Sequence, residues 1–187
     1  MQTVSSKDKR SWSLNDVITL AIIAIFFGVI YEVWGFAYNA IAATPLKIYA
    51  NDMTLGVWIM AGPMAGVLLK KAGATTIGEI LAAVVEMLLF SQWGFSNVIY
   101  GLVQGVSSEA GFALTGYKHW DKFGLFMSTA STTVLMFIWD WFQSGYNTFS
   151  FGLLITLFII RFISIGFFAG VLVYWIQKLV DQSGIRH

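Results

Sequence analysis

Three carboxylates and a glutamine lie inside one strongly apolar stretch, residues 77–112, which reads IGEILAAVVEMLLFSQWGFSNVIYGLVQGVSSEAGF. An ionised carboxylate in hydrocarbon costs roughly 3 kcal/mol even on lenient insertion scales, so Glu79, Glu86 and Glu109 are expected to face a bundle interior, a partner or a cavity. Glu79 and Glu86 are seven apart, on one helical face two turns apart. Gly101, Gly105 and Glu109 recur every four residues, with Gln104 and Ser108 in the adjoining row, so one side of that segment is small and polar. Glu79 falls near a helix N-terminus, where an anion is favoured, and is read as structural. Glu109 and Arg161 lie at similar depth and are expected to form a buried ion pair. Apart from Arg161, Glu86 has no basic residue at its depth, which makes it a candidate ligand contact. Its carboxylate suits either a proton relay or a ligand with donor groups, such as an amine or an aminopyrimidine.

Aromatic rings surround these groups. Trp34, Tyr38, Trp58, Trp93, Tyr100, Trp139, Trp141 and Tyr146 gather toward one side of the membrane. Each taken singly is an interfacial residue; together they exceed such a belt, and rings beside carboxylates hold a flat cation. The candidate ligand-binding set is Glu86, Trp93, Tyr100, Gln104, Tyr38, Asn39, Trp58, Asp140 and Tyr146. Glu32 and Asp140, near the outer ends of their helices, are expected around the same cavity. Other chemistries lack their residues. There are no cysteines, His119 falls in a turn and His187 is terminal, so no metal site is expected. HExxH, GxSxG and Walker A motifs are missing, so the chain is read as a non-enzyme without a cofactor. It cannot hydrolyse ATP, so any uphill transport must draw on an ion gradient or a partner.

The elements that position these groups follow from hydropathy. Of 187 residues, 57% are hydrophobic and only 11% charged, and the mean hydropathy is +0.72. A soluble domain carries about 25% charge, so this is an integral membrane protein of all-α class. A net charge of +1 with no basic run excludes a nucleic-acid surface. Six transmembrane helices are expected, at about 16–35, 53–69, 76–90, 96–117, 122–142 and 149–179, in a single membrane domain spanning 1–187. Asp16 or Asn15 is expected to cap the first. That first run is read as a span rather than a cleaved leader, because it reaches Trp34 and five apolar segments follow. Ala21, Ala24 and Gly28 form a small-residue stripe on it, suited either to packing within the chain or to a separate membrane subunit. Residues 36–51, interrupted by Pro45, are expected to form a long loop that acts as a lid, with 143–148 as a second. Pro63 is expected to kink the second helix.

With six spans both termini share a side with the 2–3 and 4–5 turns. That side collects Lys7, Lys9, Arg10, Lys70, Lys71, Lys118, Lys122, Lys178 and Arg186, against Lys47 opposite and Arg161 inside the last helix. Both termini are therefore expected to be cytoplasmic.

The runs GEILAAVVEMLLFSQWG (78–94) and YGLVQGVSSEAGFAL (100–114) resemble the substrate-binding S components of energy-coupling-factor (ECF) vitamin transporters, of the YkoE type for thiamine or its hydroxymethylpyrimidine precursor. The resemblance covers the whole chain in length, six spans and long first loop. It implies a subunit in the cell membrane that captures a vitamin from outside, and a transmembrane T component and paired ABC ATPases as partners. It also implies a delivery step in which the subunit tilts, and a docking role for the Ala21, Ala24 and Gly28 stripe. Glu86, Trp93, Tyr100 and Gln104 fall in the shared motif, as do Glu79 and Glu109. The chemistry agrees: a Glu carboxylate and a Gln amide can hydrogen-bond an aminopyrimidine, while Trp and Tyr faces attract a thiazolium. Thiamine and hydroxymethylpyrimidine offer the same pyrimidine edge. The alternative reading is a self-contained proton-coupled transporter or channel for a small cation, with Glu86, Glu109 and Asp140 relaying protons. Against it, the chain is short and has no inverted halves. A scaffold without a ligand would leave the polar groups of 77–112 unexplained.

Overall fold

The computed structural model describes residues 11–183, and every regular element among them is helical. Lys7, Lys9, Arg10 and Arg186, counted above for orientation, lie outside the described residues.

Helix α1 spans Leu14–Ala42. Its cap is Ser13, with Asp16 as reciprocal partner rather than cap: Ser13 N donates to Asp16 Oδ2 at 2.7 Å and Asp16 N to Ser13 Oγ at 3.2 Å. The helix runs past the expected end at residue 35 because nothing in 36–42 breaks it; the first breaker is Pro45. Tyr38 and Asn39 are therefore helical. The long loop expected over 36–51 is instead two further turns of α1, a 3₁₀ turn at Pro45–Tyr49 and the start of the short helix α2, Ala50–Thr54.

The second apolar segment is broken rather than kinked. After α2 comes a 3₁₀ turn, Val57–Ile59, and then α3, Ala61–Leu69. Pro63 sits in the first turn of α3, where a missing N–H costs nothing, and it cannot bond back to the carbonyl of Ile59, so the break falls just before it. The break is buried against α7 (Phe151–Ile165), where a Cβ on Gly56 would come within 2.3 Å of Ser164 O. Ser164 Oγ takes up the freed backbone, accepting from Gly56 N at 3.1 Å and donating to Met53 O at 2.9 Å.

Helices α4 (Ala74–Leu88) and α5 (Ser96–Leu114) pack with their backbones close. Gly101 faces Ala83 and Gly105 faces Thr76, which is where the small side of α5 is spent. At 15 residues α4 is about 22 Å long, short of a bilayer core of roughly 30 Å. Helix α6, Lys122–Gln143, is capped by Asp121, whose Oδ1 accepts from Phe123 N at 2.9 Å and Gly124 N at 3.2 Å. A π-helical stretch, Gly166–Leu172, joins α7 to α8, Val173–Gln182.

One core cluster gathers Phe27 and Tyr31 of α1, Met60 and Met64, Ala82, Phe112 and Val173; a second joins Leu55, Ile59, Met136, Ile165 and Ala169. The outside stays apolar. Ile18, Ile22, Ile25, Val29 and Val33 of α1, with Phe151, Ile159 and Ile163 of α7, are exposed. So much bare aliphatic surface fits lipid rather than water. Four stretches, Leu14–Ala42, Pro45–Leu69, Lys122–Gln143 and Phe151–Gln182, are long and apolar enough to cross a membrane.

The small-residue stripe of α1 is mostly consumed by the fold. Ala24 and Gly28 are buried, and a Cβ on Gly28 would lie 2.6 Å from the Val85 side chain of α4. Only Ala21 is exposed. Ala24 and Gly28 serve packing within the chain and are not open to a second subunit, because α1 must approach α4 closely to bury Tyr31 beside Glu79.

Candidate functional site

At the end of the bundle remote from Asp16 and Lys71, a cavity of about 380 Å³ opens between α1, α2, α4, α5 and the turn after α6. Such a volume suits a small organic ligand. Glu86, Trp93, Tyr100, Gln104, Tyr38, Trp58 and Tyr146 line it.

One wall is aromatic. Tyr38, Trp58 and Trp93 meet edge to face, with centroids 5.8 Å (Tyr38–Trp58), 5.5 Å (Tyr38–Trp93) and 5.3 Å (Trp58–Trp93) apart. The extra turns of α1 bring Tyr38 into this triad, and the Trp58 indole N–H donates to Tyr31 O at 3.2 Å. Tyr100 stands across the cavity, braced by Trp139 at 6.1 Å.

The polar groups are buried and under-used. Glu86 is 4% exposed, and its Oε1 has no hydrogen-bond partner within the described residues. Gln104 is 6% exposed, and no hydrogen bond from its amide to another described residue is present. Buried polar atoms are normally satisfied, and a carboxylate oxygen and an amide left open in one aromatic cavity could accept and donate hydrogen bonds to a ligand with hydrogen-bonding edges.

Three residues expected at the cavity lie elsewhere. Asn39 is exposed and exchanges hydrogen bonds with Gln92, at 3.3 and 3.2 Å. Asp140 sits behind the wall, bound to Arg161, while Glu32 is half-buried and outside the lining. The expected Glu109–Arg161 pair is absent. Arg161 is fully buried and pairs Nε with Asp52 Oδ1 and Nη2 with Asp140 Oδ2, both at 2.6 Å. The Tyr146 hydroxyl donates to Asp52 Oδ2 at 2.6 Å, and Asn51 Nδ2 donates to Asp140 Oδ2 at 3.2 Å. This cluster ties α2, α6, α7 and the 144–148 turn together directly behind the cavity. Counting residues along each helix does not reveal it because α2 is folded into the bundle, where Asp52 is fully buried. Glu109 instead caps α4, accepting from Gly73 N at 2.8 Å and Thr76 N at 3.1 Å. Glu79 is structural, as expected, but serves the N-terminus of α3: it accepts from Gly62 N at 2.6 Å and from the Tyr31 hydroxyl at 2.9 Å.

Lining residues that sequence reasoning did not single out for the site are Tyr31, Lys47, Asn51 and Asn97. Asn51 and its neighbour Asp52 carried a usable signal, since an intramembrane arginine requires acidic partners and Asp52 is one of the few acids in an apolar segment.

The chain is similar to known proteins along most of its length. The family described as the permease component of an ABC-type cobalt transport system matches residues 15–135. The chain is 33% identical over 176 residues to the putative HMP/thiamine permease protein YkoE of Bacillus subtilis (strain 168), covering 94% of this chain and 88% of that one. It also superposes on the crystal structure of an S component of an ECF transporter with a TM-score of 0.87 and 31% identity, covering 94% of this chain and 88% of the other.

Proposed function

The chain belongs to the S components of ECF transporters, a family of multi-pass membrane transport subunits rather than enzymes, and from that premise we propose that it binds a thiamine-class vitamin, thiamine or hydroxymethylpyrimidine. The observation that carries this reading is the open Glu86 oxygen facing a cavity walled by Tyr38, Trp58 and Trp93. A carboxylate and the Gln104 amide match the donor and acceptor edge of an aminopyrimidine, while the rings suit a flat cation. The permease of B. subtilis that the chain resembles is described with the same two ligands.

Cobalt, which appears in the description of the matching family, suits this cavity less. Its lining offers one carboxylate and neutral amides, and no group of three or more metal-ligating side chains occurs among the described residues. Ligand capture takes place from the outside, with a transmembrane T component and paired ABC ATPases supplying the energy. Six crossings and cytoplasmic termini complete the reading. They are supported by Lys70, Lys71, Lys118, Lys122 and Lys178 falling at the bundle end opposite the cavity.

The test is tryptophan fluorescence of the purified chain in detergent, titrated with thiamine and with hydroxymethylpyrimidine. Saturable quenching is expected, because a ring stacking on Trp58 and Trp93 alters their emission. Absence of a response to either, from protein shown to be folded, overturns the vitamin assignment.

A further inference from the structure

Lys47 is the one basic residue in the cavity lining, and its position is unlike that of every other lysine among the described residues. Lys71 pairs with Asp16 and Lys122 lies over the Tyr174 ring, both at the far end of the bundle. Lys47 sits on the 3₁₀ turn Pro45–Tyr49 at the cavity mouth, is exposed, and its ammonium has no hydrogen-bond, ion-pair or ring partner among the described residues. The cavity is thus bipolar: a buried carboxylate, Glu86, at depth, and a free ammonium with the Ser144 hydroxyl at the rim. A rim ammonium attracts a ligand that carries an anionic group at its outward end. The turn that carries it is held in place from both sides. Thr44 Oγ1 accepts from Leu46 N at 3.1 Å, and the following Asn51 is anchored to Asp140 and Tyr146, so Lys47 is presented at the mouth rather than left on a slack loop.

We infer that Lys47 is a specificity-determining residue that recognises an anionic outward tail, of phosphate-ester class, on a ring ligand whose pyrimidine end is held at Glu86 and Gln104. This rests on the vitamin-binding reading above. The ammonium acts as a point charge toward phosphate and is open to salt screening.

The experiment measures Kd for thiamine and for thiamine monophosphate with the full chain and with Lys47→Gln and Lys47→Arg, at low and at high salt. In Lys47→Gln the ratio of monophosphate to thiamine affinity is expected to fall about fivefold, the scale of one partly exposed ion pair, and less at high salt. Lys47→Arg is expected to restore the ratio. An unchanged ratio in Lys47→Gln, or an equal weakening of both ligands, overturns the role of Lys47 while leaving the vitamin reading intact. Failure of the unsubstituted chain to bind any of thiamine, thiamine monophosphate or, in a parallel titration, hydroxymethylpyrimidine overturns both.

Discussion

Glu86→Gln isolates the group on which the proposed vitamin binding rests. The substitution keeps shape and volume and replaces a carboxylate by an amide, so the aromatic wall is undisturbed. In the protein the carboxylate is 4% exposed and Oε1 has no internal partner, so removing its charge breaks no hydrogen bond of that oxygen. What is lost is a charge-assisted hydrogen bond to the ligand, about 1.5 to 3 kcal/mol. That corresponds to a rise in Kd of roughly tenfold to a hundredfold. Calorimetric titration of thiamine into detergent-solubilised protein reads the affinity, and thermal denaturation without ligand reads the fold. The expected result is weakened binding with a Tm close to that of the unsubstituted chain, because the substitution keeps the shape and Oε1 has no internal partner to lose. A Kd within twofold of the original, in a variant that melts normally, would refute the placement of the ligand against Glu86.

Two further outcomes test the framework around the cavity. Asp52→Ala leaves Arg161 with one of its two buried counter-charges and is expected to destabilise the protein by about 3 kcal/mol or more. Glu109→Ala removes the cap on α4, about 1 to 2 kcal/mol; thermal melts that rank Glu109→Ala as the worse of the two would return Arg161 to Glu109. At the opposite end, the backbone N–H groups of Gly124 and Phe123 hold the Asp121 carboxyl below its usual value of 3.8. A lowered pKa in the folded state means that this contribution is present above about pH 3.8 and is lost as the pH falls below it. Asp121→Ala is expected to cost about 1 kcal/mol at neutral pH. The gap to the unsubstituted chain should narrow in melts taken through pH 4 to 3, and a constant gap would count against the cap.

The cavity's membership was more legible than its framework. Glu86, Trp93, Tyr100 and Gln104 stand close in sequence on two adjacent helices, so helical spacing alone places them together, and the structure lines one cavity with all four. Asn39 is grouped with them as part of a lid loop and Asp140 by its depth, but neither placement says which way a side chain turns. Asn39 lies on the outer face toward Gln92, and Asp140 turns away toward Arg161. The stripe on α1 shows the same gap: small residues announce a close approach without naming the neighbour, which is α4 of the same chain.

Hydropathy and the placement of charge were enough to establish a helical membrane protein with a polar, aromatic-rich segment at 77–112, because transfer of charge and backbone into lipid constrains every residue independently of its neighbours. Which acid meets Arg161, where the second apolar segment breaks and which side of α1 stays bare were decided only by tertiary packing. Those outcomes depend on contacts such as Asp52–Arg161, whose partners are 109 positions apart, and on the close seating of Gly56 against Ser164. A periodic pattern along one helix carries no record of the surface it will meet.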